Sequence, residues 1–163
     1  MRQRIGILLG LAAALPWMNV AAAADGSVKE TIQKIYDRQD AAEGRLDTKA
    51  IGADETTDFV QVGNDGKTQT REQEDQSGIQ MMQIMKSYHA RTQIVSFSQQ
   101  GSKVTVVVRV HIESVIRPPQ LGRDSQIVFD ATGRDEWVKR GGTWLCSRSH
   151  TLSEKGTVDG KAH

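Results

Sequence analysis

The chain has 163 residues, 37% of them hydrophobic and 25% charged, with 21 basic and 20 acidic side chains. That is the size of one ordinary domain with enough apolar material for a core, and a balance this close to neutral gives no electrostatic footprint for nucleic acid. The single cysteine, Cys146, excludes an internal disulfide, so it is either buried and inert or paired with another chain.

The first two dozen residues read as a targeting segment. MRQR is basic, IGILLGLAAALPWM is apolar, and NVAAAAD is a run of small residues closing on an acid. This is the order of a secretory signal, with Ala22-x-Ala24 as the cleavage motif and Ala21-x-Ala23 as its competitor. The apolar run falls short of the roughly 20 residues that a membrane span needs, which leaves an uncleaved anchor as the alternative. No cysteine follows the small residues, so a bacterial lipid anchor has no attachment point, and Gln3 separates Arg2 from Arg4, so no twin arginine is present. Residues 1–24 are therefore expected to direct export to the periplasm or beyond. Residues 25–152 would form one domain, free of the membrane after cleavage, and 153–163 a flexible polar tail.

Ser27 and Glu30 have the spacing of a capping box. Val28, Ile32, Ile35, Tyr36, Ala42 and Leu46 then recur with helical period, which predicts a first helix from Val28 to about Arg45. A short second helix in 47–57 is weakened by Gly52 and the acids. DFVQV (58–62) reads as a strand, Asn64-Asp65-Gly66 as its turn, and Lys67–Thr70 as a short partner. Thr70, with Gln73 three residues on, caps another helix that buries Ile79, Met82, Met85 and Tyr88, with Met81 and Ile84 broadening that side. Methionines on such a face fill irregular gaps in a core.

After His89 the period becomes two. Thr92–Ser98 is a strand, and Lys103–Ile116 a long one with Val104, Val106, Val108, Val110 and Ile112 on one side. Thr105, Val107, Arg109, His111 and Glu113 occupy the other. Arg117-Pro118-Pro119 ends the run. Ser125–Lys139 and Thr143–Leu152 complete the sheet. The fold class is α+β: a cone-shaped roll of a curved, mostly antiparallel sheet packed on two or three N-terminal helices.

The words DFVQVGNDGK and RDEWVKRGGTW, the second with its Trp-x6-Trp spacing, make the chain resemble the nuclear transport factor 2-like superfamily over about residues 28–152. That cone-shaped roll is shared by SnoaL-like polyketide cyclases, ketosteroid isomerase, scytalone dehydratase and the association domain of calcium/calmodulin-dependent kinase. The resemblance implies a conical cavity without a cofactor, and a homodimer through the outer sheet face.

The last hairpin decides which side chains enter that cavity. Ile127, Phe129, Ala131, Asp135 and Trp137 share one phase. A two-residue Gly141-Gly142 loop sets Trp137 opposite Cys146 and Asp135 opposite Arg148, and it admits Arg148 and His150. A three-residue loop sets Trp137 opposite Leu145 and Asp135 opposite Ser147, admitting Ser147, Ser149 and Thr151, because one residue of slip reverses every side chain. Glycine pairs favour the short loop; the resemblance favours the longer one, which is the expectation adopted. The pocket would then comprise Tyr36, Val108, Val110, Phe129, Asp135, Trp137, Ser147 and Ser149. Val107, Arg109, His111 and Trp144 would form an outer interface.

No two of the 4 histidines stand at metal-ligand spacing with each other, Cys146 or an acid, so no metal is assigned. Isomerase-like relatives use a carboxylate base on the first hairpin, but here Gly63 or Asn64 falls at that place and Asp65 sits in the turn. The helix-one tyrosine of those relatives falls near Gln39, a turn beyond Tyr36. Asp135, His150 and Tyr36 are the remaining candidates for proton transfer. Two readings result: an exported module whose cone binds a small, partly apolar ligand without catalysis, or a cofactor-independent lyase, isomerase or cyclase. A protein-binding adaptor or immunity module is a third.

Overall fold

A computed structural model of the protein describes residues 19–50, 52–120 and 122–162. Most of the expected export signal lies outside them. Among the described residues, no helix is long and apolar enough to cross a membrane. Helix α1 (Asn19–Gly44) leads through a single 3-10 turn (Thr48–Ala50) into β1 (Glu55–Val62), β2 (Thr68–Thr70) and α2 (Arg71–Ile84). Four long strands follow: β3 (Met85–Gln100), β4 (Lys103–Ile116), β5 (Ser125–Arg140) and β6 (Thr143–Val158), with β7 (Lys161–Ala162) at the end. The sheet order is β2-β1-β6-β5-β4-β3, antiparallel except for β1 beside β6, and β7 pairs with β6.

Helix α1 lies across the concave side of this sheet, against β3. Its Ile32, Ile35 and Tyr36 are buried at the expected helical spacing. Ser27 is not an N-cap, because the helix already runs through it, and its carbonyl accepts from the Thr31 hydroxyl at 2.8 Å. The second cap is as read: Thr70 accepts from the Gln73 amide while the Gln73 side chain accepts from the Thr70 amide. The expected helix in 47–57 shrinks to the 3-10 turn, since Gly52 (φ 67) adopts a left-handed backbone there.

Strand β4 coincides with its predicted span, and its valine side faces α1. Val104 and Val106 pack with Ile32, Phe59, Trp137, Trp144 and Cys146 into a solid core at the narrow end of the cone. Strand β3 begins at Met85, well before the predicted Thr92, so Met85 and Tyr88 belong to a strand rather than to a helix face. Strand β6 also outruns its prediction. It pairs with β5 as far as Val158 and turns back through β7, and the expected flexible tail is instead mostly sheet.

The terminal hairpin corrects the expected register. Gly141 (φ 58) and Gly142 (φ 88) form a two-residue turn that pairs Arg140 with Thr143, and Trp137 faces Cys146. Both central residues have positive φ, which glycine adopts without steric cost. A bulge between Glu136 and Trp137 then gives β6 one extra residue, Ser147, and beyond it Asp135 faces Ser149. The turn therefore follows the short-loop geometry, while the cavity end has the side chains of the longer one.

Trp144 consequently points into the core, 6% exposed, and is not part of an outer interface. Trp144→Ala should lower stability by about 3–5 kcal/mol, as expected for removing a buried indole. Urea unfolding monitored by circular dichroism would show this, with the oligomeric state unchanged in light scattering.

Candidate functional site

At the wide end of the cone the core opens into a cavity of about 460 Å³. Tyr36, Asp40 and Glu43 of α1 form one wall. Val108, Val110, Ile112, Phe129 and Ala131 form the sheet wall, and Asp135, Ser149 and Thr151 lie at the floor. A second chamber of about 430 Å³ continues under α2, lined by Met81, Met82, Met85, Ile116 and Ile127 among others. The two share Glu43, Glu74, Tyr88, Ile112 and Phe129 at their junction.

The floor is a closed hydrogen-bond network. The Tyr36 hydroxyl donates to Asp135 Oδ2 at 2.5 Å and accepts from the Trp137 indole N–H at 3.1 Å. The Ser149 hydroxyl donates to Asp135 Oδ1 at 2.6 Å. The Tyr36 and Trp137 rings meet edge-on, with centroids 5.4 Å apart. Asp135 is 6% exposed, and burial raises its pKa, partly offset by the Ser149 and Tyr36 hydroxyls. Burial also pushes the Tyr36 hydroxyl up, with the Asp135 charge adding to the effect, so Tyr36 stays a proton donor at any physiological pH.

The site's other acids have different surroundings. Asp40 accepts from the Thr92 amide and hydroxyl at 2.7 and 2.9 Å. Glu43 is raised by burial, and Tyr88 beside it partly compensates. Glu74 is pushed up to about 7 by burial and then by Asp75, Asp135 and Glu43. Behind it, Glu55 is pushed up to about 8 by burial and by Glu74 and Asp75, although Arg71 stands 3.9 Å away.

Of the residues expected in the pocket, Tyr36, Val108, Val110, Phe129, Asp135 and Ser149 line it. Trp137, 1% exposed, lies beneath the floor and supports it through Tyr36. Ser147 does not reach the cavity, because as the bulge residue it turns away and its hydroxyl donates to the Glu136 carbonyl at 3.1 Å. His150 faces Arg134 in the register and stands out of phase with Ser149, so no Asp135–His150 pair forms. Val107, Arg109 and His111 occupy the outer face, where His111 contacts Asp130 at 2.8 Å and Glu113 at 3.4 Å. Cys146 is buried, and burial pushes its thiol up, which makes it inert.

Sequence reasoning missed Asp40, Glu43, Glu74 and Tyr88. A signal for them existed: Asp40 and Glu43 follow Tyr36 by four and seven residues, so they continue the buried stripe of α1. Glu74 stands on the same face of α2 as Ser77, Gly78, Met81 and Met82.

No family model and no curated protein matches the chain. Solved structures do. A conserved protein from Planctomyces limnophilus superposes with TM-score 0.66 at 14% identity, covering 77% of this chain and 94% of that one. The chain has the nuclear transport factor 2-like fold. A nuclear transport factor 2-like superfamily protein from Salmonella enterica gives TM-score 0.60 at 14% identity over 77% of this chain and 90% of its own. A putative scytalone dehydratase from Novosphingobium aromaticivorans gives 0.66 at 12% identity over 81% and 89%.

The raised acids give stability a definite pH dependence. Glu55 titrates at about 8 when folded against an ordinary 4.5, so between those values the native state holds a proton that the unfolded chain has released. Its contribution is present below 4.5 and is lost as pH rises through 8. Glu55→Gln should therefore be more stable than wild type at pH 8, by on the order of 2–4 kcal/mol, and similar at acid pH. Urea titrations at the two pH values check this; an equal loss of stability in both proteins would contradict it.

Proposed function

We propose that this protein binds a small, partly apolar ligand in its conical cavity. The observation that carries the reading is the pairing of a hollow of about 460 Å³ with a buried, hydrogen-bonded carboxyl at its floor and aliphatic walls above. Pockets of this size, mostly apolar with a few convergent polar groups, are where small molecules bind. The absence of an Asp135–His150 pair and the outward Asn64 favour binding over the proton-transfer arrangement expected of an isomerase.

A second reading is supported by one feature. Glu74 at about 7 and the raised Asp135 line the same cavity, two carboxyls in unlike environments. On a β-hydroxyketone, ionised Glu74 would take the proton from the carbon beside the carbonyl. Asp135, when it carries a proton, would hand it to the departing hydroxyl, forming the carbon–carbon double bond and releasing water. One structural neighbour is named a putative scytalone dehydratase, which suits this class of elimination.

Phenylbutanol, an aromatic alcohol that fits the cavity, should quench Trp137 fluorescence saturably in wild type. It should fail to do so in Ala131→Trp, which fills the hollow. Hydroxyphenylbutanone tests the second reading: growth of the conjugated enone band, lost in Glu74→Gln, would establish elimination. Binding of that ketone without turnover leaves the first reading alone.

Export is part of the proposal and rests on the basic, apolar and small-residue order of residues 1–24. The mass of the protein recovered outside the cytoplasm should correspond to a chain starting at Ala24 or Asp25. A full-length mass there would contradict cleavage.

A further inference from the structure

Both chambers are lined by acids. Asp40, Glu43, Glu74 and Asp135 face the hollow, and Lys, Arg and His are missing from the lining of either chamber among the described residues. Two of these acids are already satisfied. Asp135 accepts from Tyr36 and Ser149, and Asp40 accepts from Thr92 through both oxygens. Glu74 is different: its Oε2 is cut off from solvent and meets no hydrogen-bond partner among the described residues. It stands where the chambers meet, with Glu43 and Tyr88 beside the same opening.

Buried polar groups are almost always hydrogen-bonded, so a carboxyl without a partner among the described residues, on a side chain that lines the opening, marks a place where a ligand donates. The surrounding charge selects the donor. An anionic ligand would add to the mutual repulsion of Glu43, Glu74 and Asp135. A cation answers the unpartnered carboxyl and relieves that repulsion together, with the aromatic side chain of Tyr88 lining the same opening. The remaining volume is the methionine-lined chamber under α2, which takes an apolar body.

Resting on the binding reading above, we propose that the cavity selects a cationic amphiphile, with its ammonium at Glu74 and its apolar group in the chamber beneath α2. The groups facing Glu74 are Asp75 on its own helix, Glu43 of α1, Asp135 of β5, Glu55 of β1 and Tyr88 of β3. With these neighbours Glu74 holds a proton up to about pH 7. Ammonium binding drives that proton into solvent, so affinity for an amine tightens as pH rises past this value. A neutral ligand that accepts from protonated Glu74 would show the opposite trend.

Calorimetric titration of the full chain with phenylbutylamine, phenylbutanol and phenylbutyrate, on either side of neutrality, tests the idea. The amine should bind about tenfold more tightly than the alcohol at mildly alkaline pH, a difference of about 1.4 kcal/mol. That advantage should shrink at mildly acid pH, and phenylbutyrate should bind weakest. Glu74→Gln should bring the affinity for the amine down to about that for the alcohol. An amine and alcohol of equal affinity, both excluded by Ala131→Trp, would overturn cation selection and leave the cavity reading standing. No saturable binding of any of the three would overturn both. Should Glu74→Gln fold poorly by circular dichroism, the wild-type amine-to-alcohol ratio decides: a ratio that does not rise with pH refutes the proposal.

Discussion

The Tyr36 hydroxyl, held between the Trp137 indole N–H and the Asp135 carboxyl, joins α1 to the concave side of the sheet at the point where packed core gives way to hollow. Below it Trp137, Val104, Val106 and Ile32 exclude solvent; above it the walls diverge. Every other property of the site depends on this junction. Tyr36 ties the helix to β5, while the Thr92 amide and hydroxyl hold Asp40 against β3. A carboxyl so deeply buried is tolerable only because Tyr36 and Ser149 occupy its two oxygens.

The cavity is built at a cost to stability. Glu55, Glu74 and Asp75 each keep a buried oxygen without a hydrogen bond among the described residues, and burial pushes Glu55 and Glu74 far above the usual carboxyl range. The same volume filled with leucine would be more stable. Such concentrations of displaced acids usually occur where a protein acts on something else, and stability is surrendered there for function. Helix α2 expresses the same compromise. None of its residues is buried, its Arg71 reaches Glu55 and Asp75 at one end only, and its inner side roofs the methionine chamber. An element with so little buried contact opens more readily than the strands around it.

Much of the architecture was legible because hydrophobic period and turn chemistry are local. The valine alternation of β4 set its span and face, and Thr70 with Gln73 marked the start of α2. The phase of Phe129, Asp135 and Trp137 followed from counting by twos. What escaped notice was decided by tertiary pairing. The methionines before Tyr88 fit a helical stripe equally well, and only the long partner β4 draws Met85 and Tyr88 into a strand. The polar 153–158 segment reads as tail until β5 supplies an edge to pair with. Asp40, Glu43 and Glu74 read as solvated charges because burial of an acid on a helix depends on what stands opposite. The register of the last hairpin was framed as a choice between two loops, and a bulge at Ser147 made each half of the strand follow a different one.

That bulge separates the two ends of β6. The Gly141-Gly142 turn and the Trp144–Cys146 core are set by one count along the strand, the cavity floor by another, and a single surplus residue reconciles them. Losing one codon at Ser147 would straighten the strand without turning either half, since Cys146 would still face Trp137, Arg148 would face Glu136 and Ser149 would face Asp135. Pairing the intact strand without the bulge would instead bring Arg148 and His150 to the floor in place of Ser149 and Thr151, setting a guanidinium against Asp135. The acidic character of the hollow therefore rests on one irregularity in the strand, and a residue outside the cavity decides the sign of what the scaffold accepts.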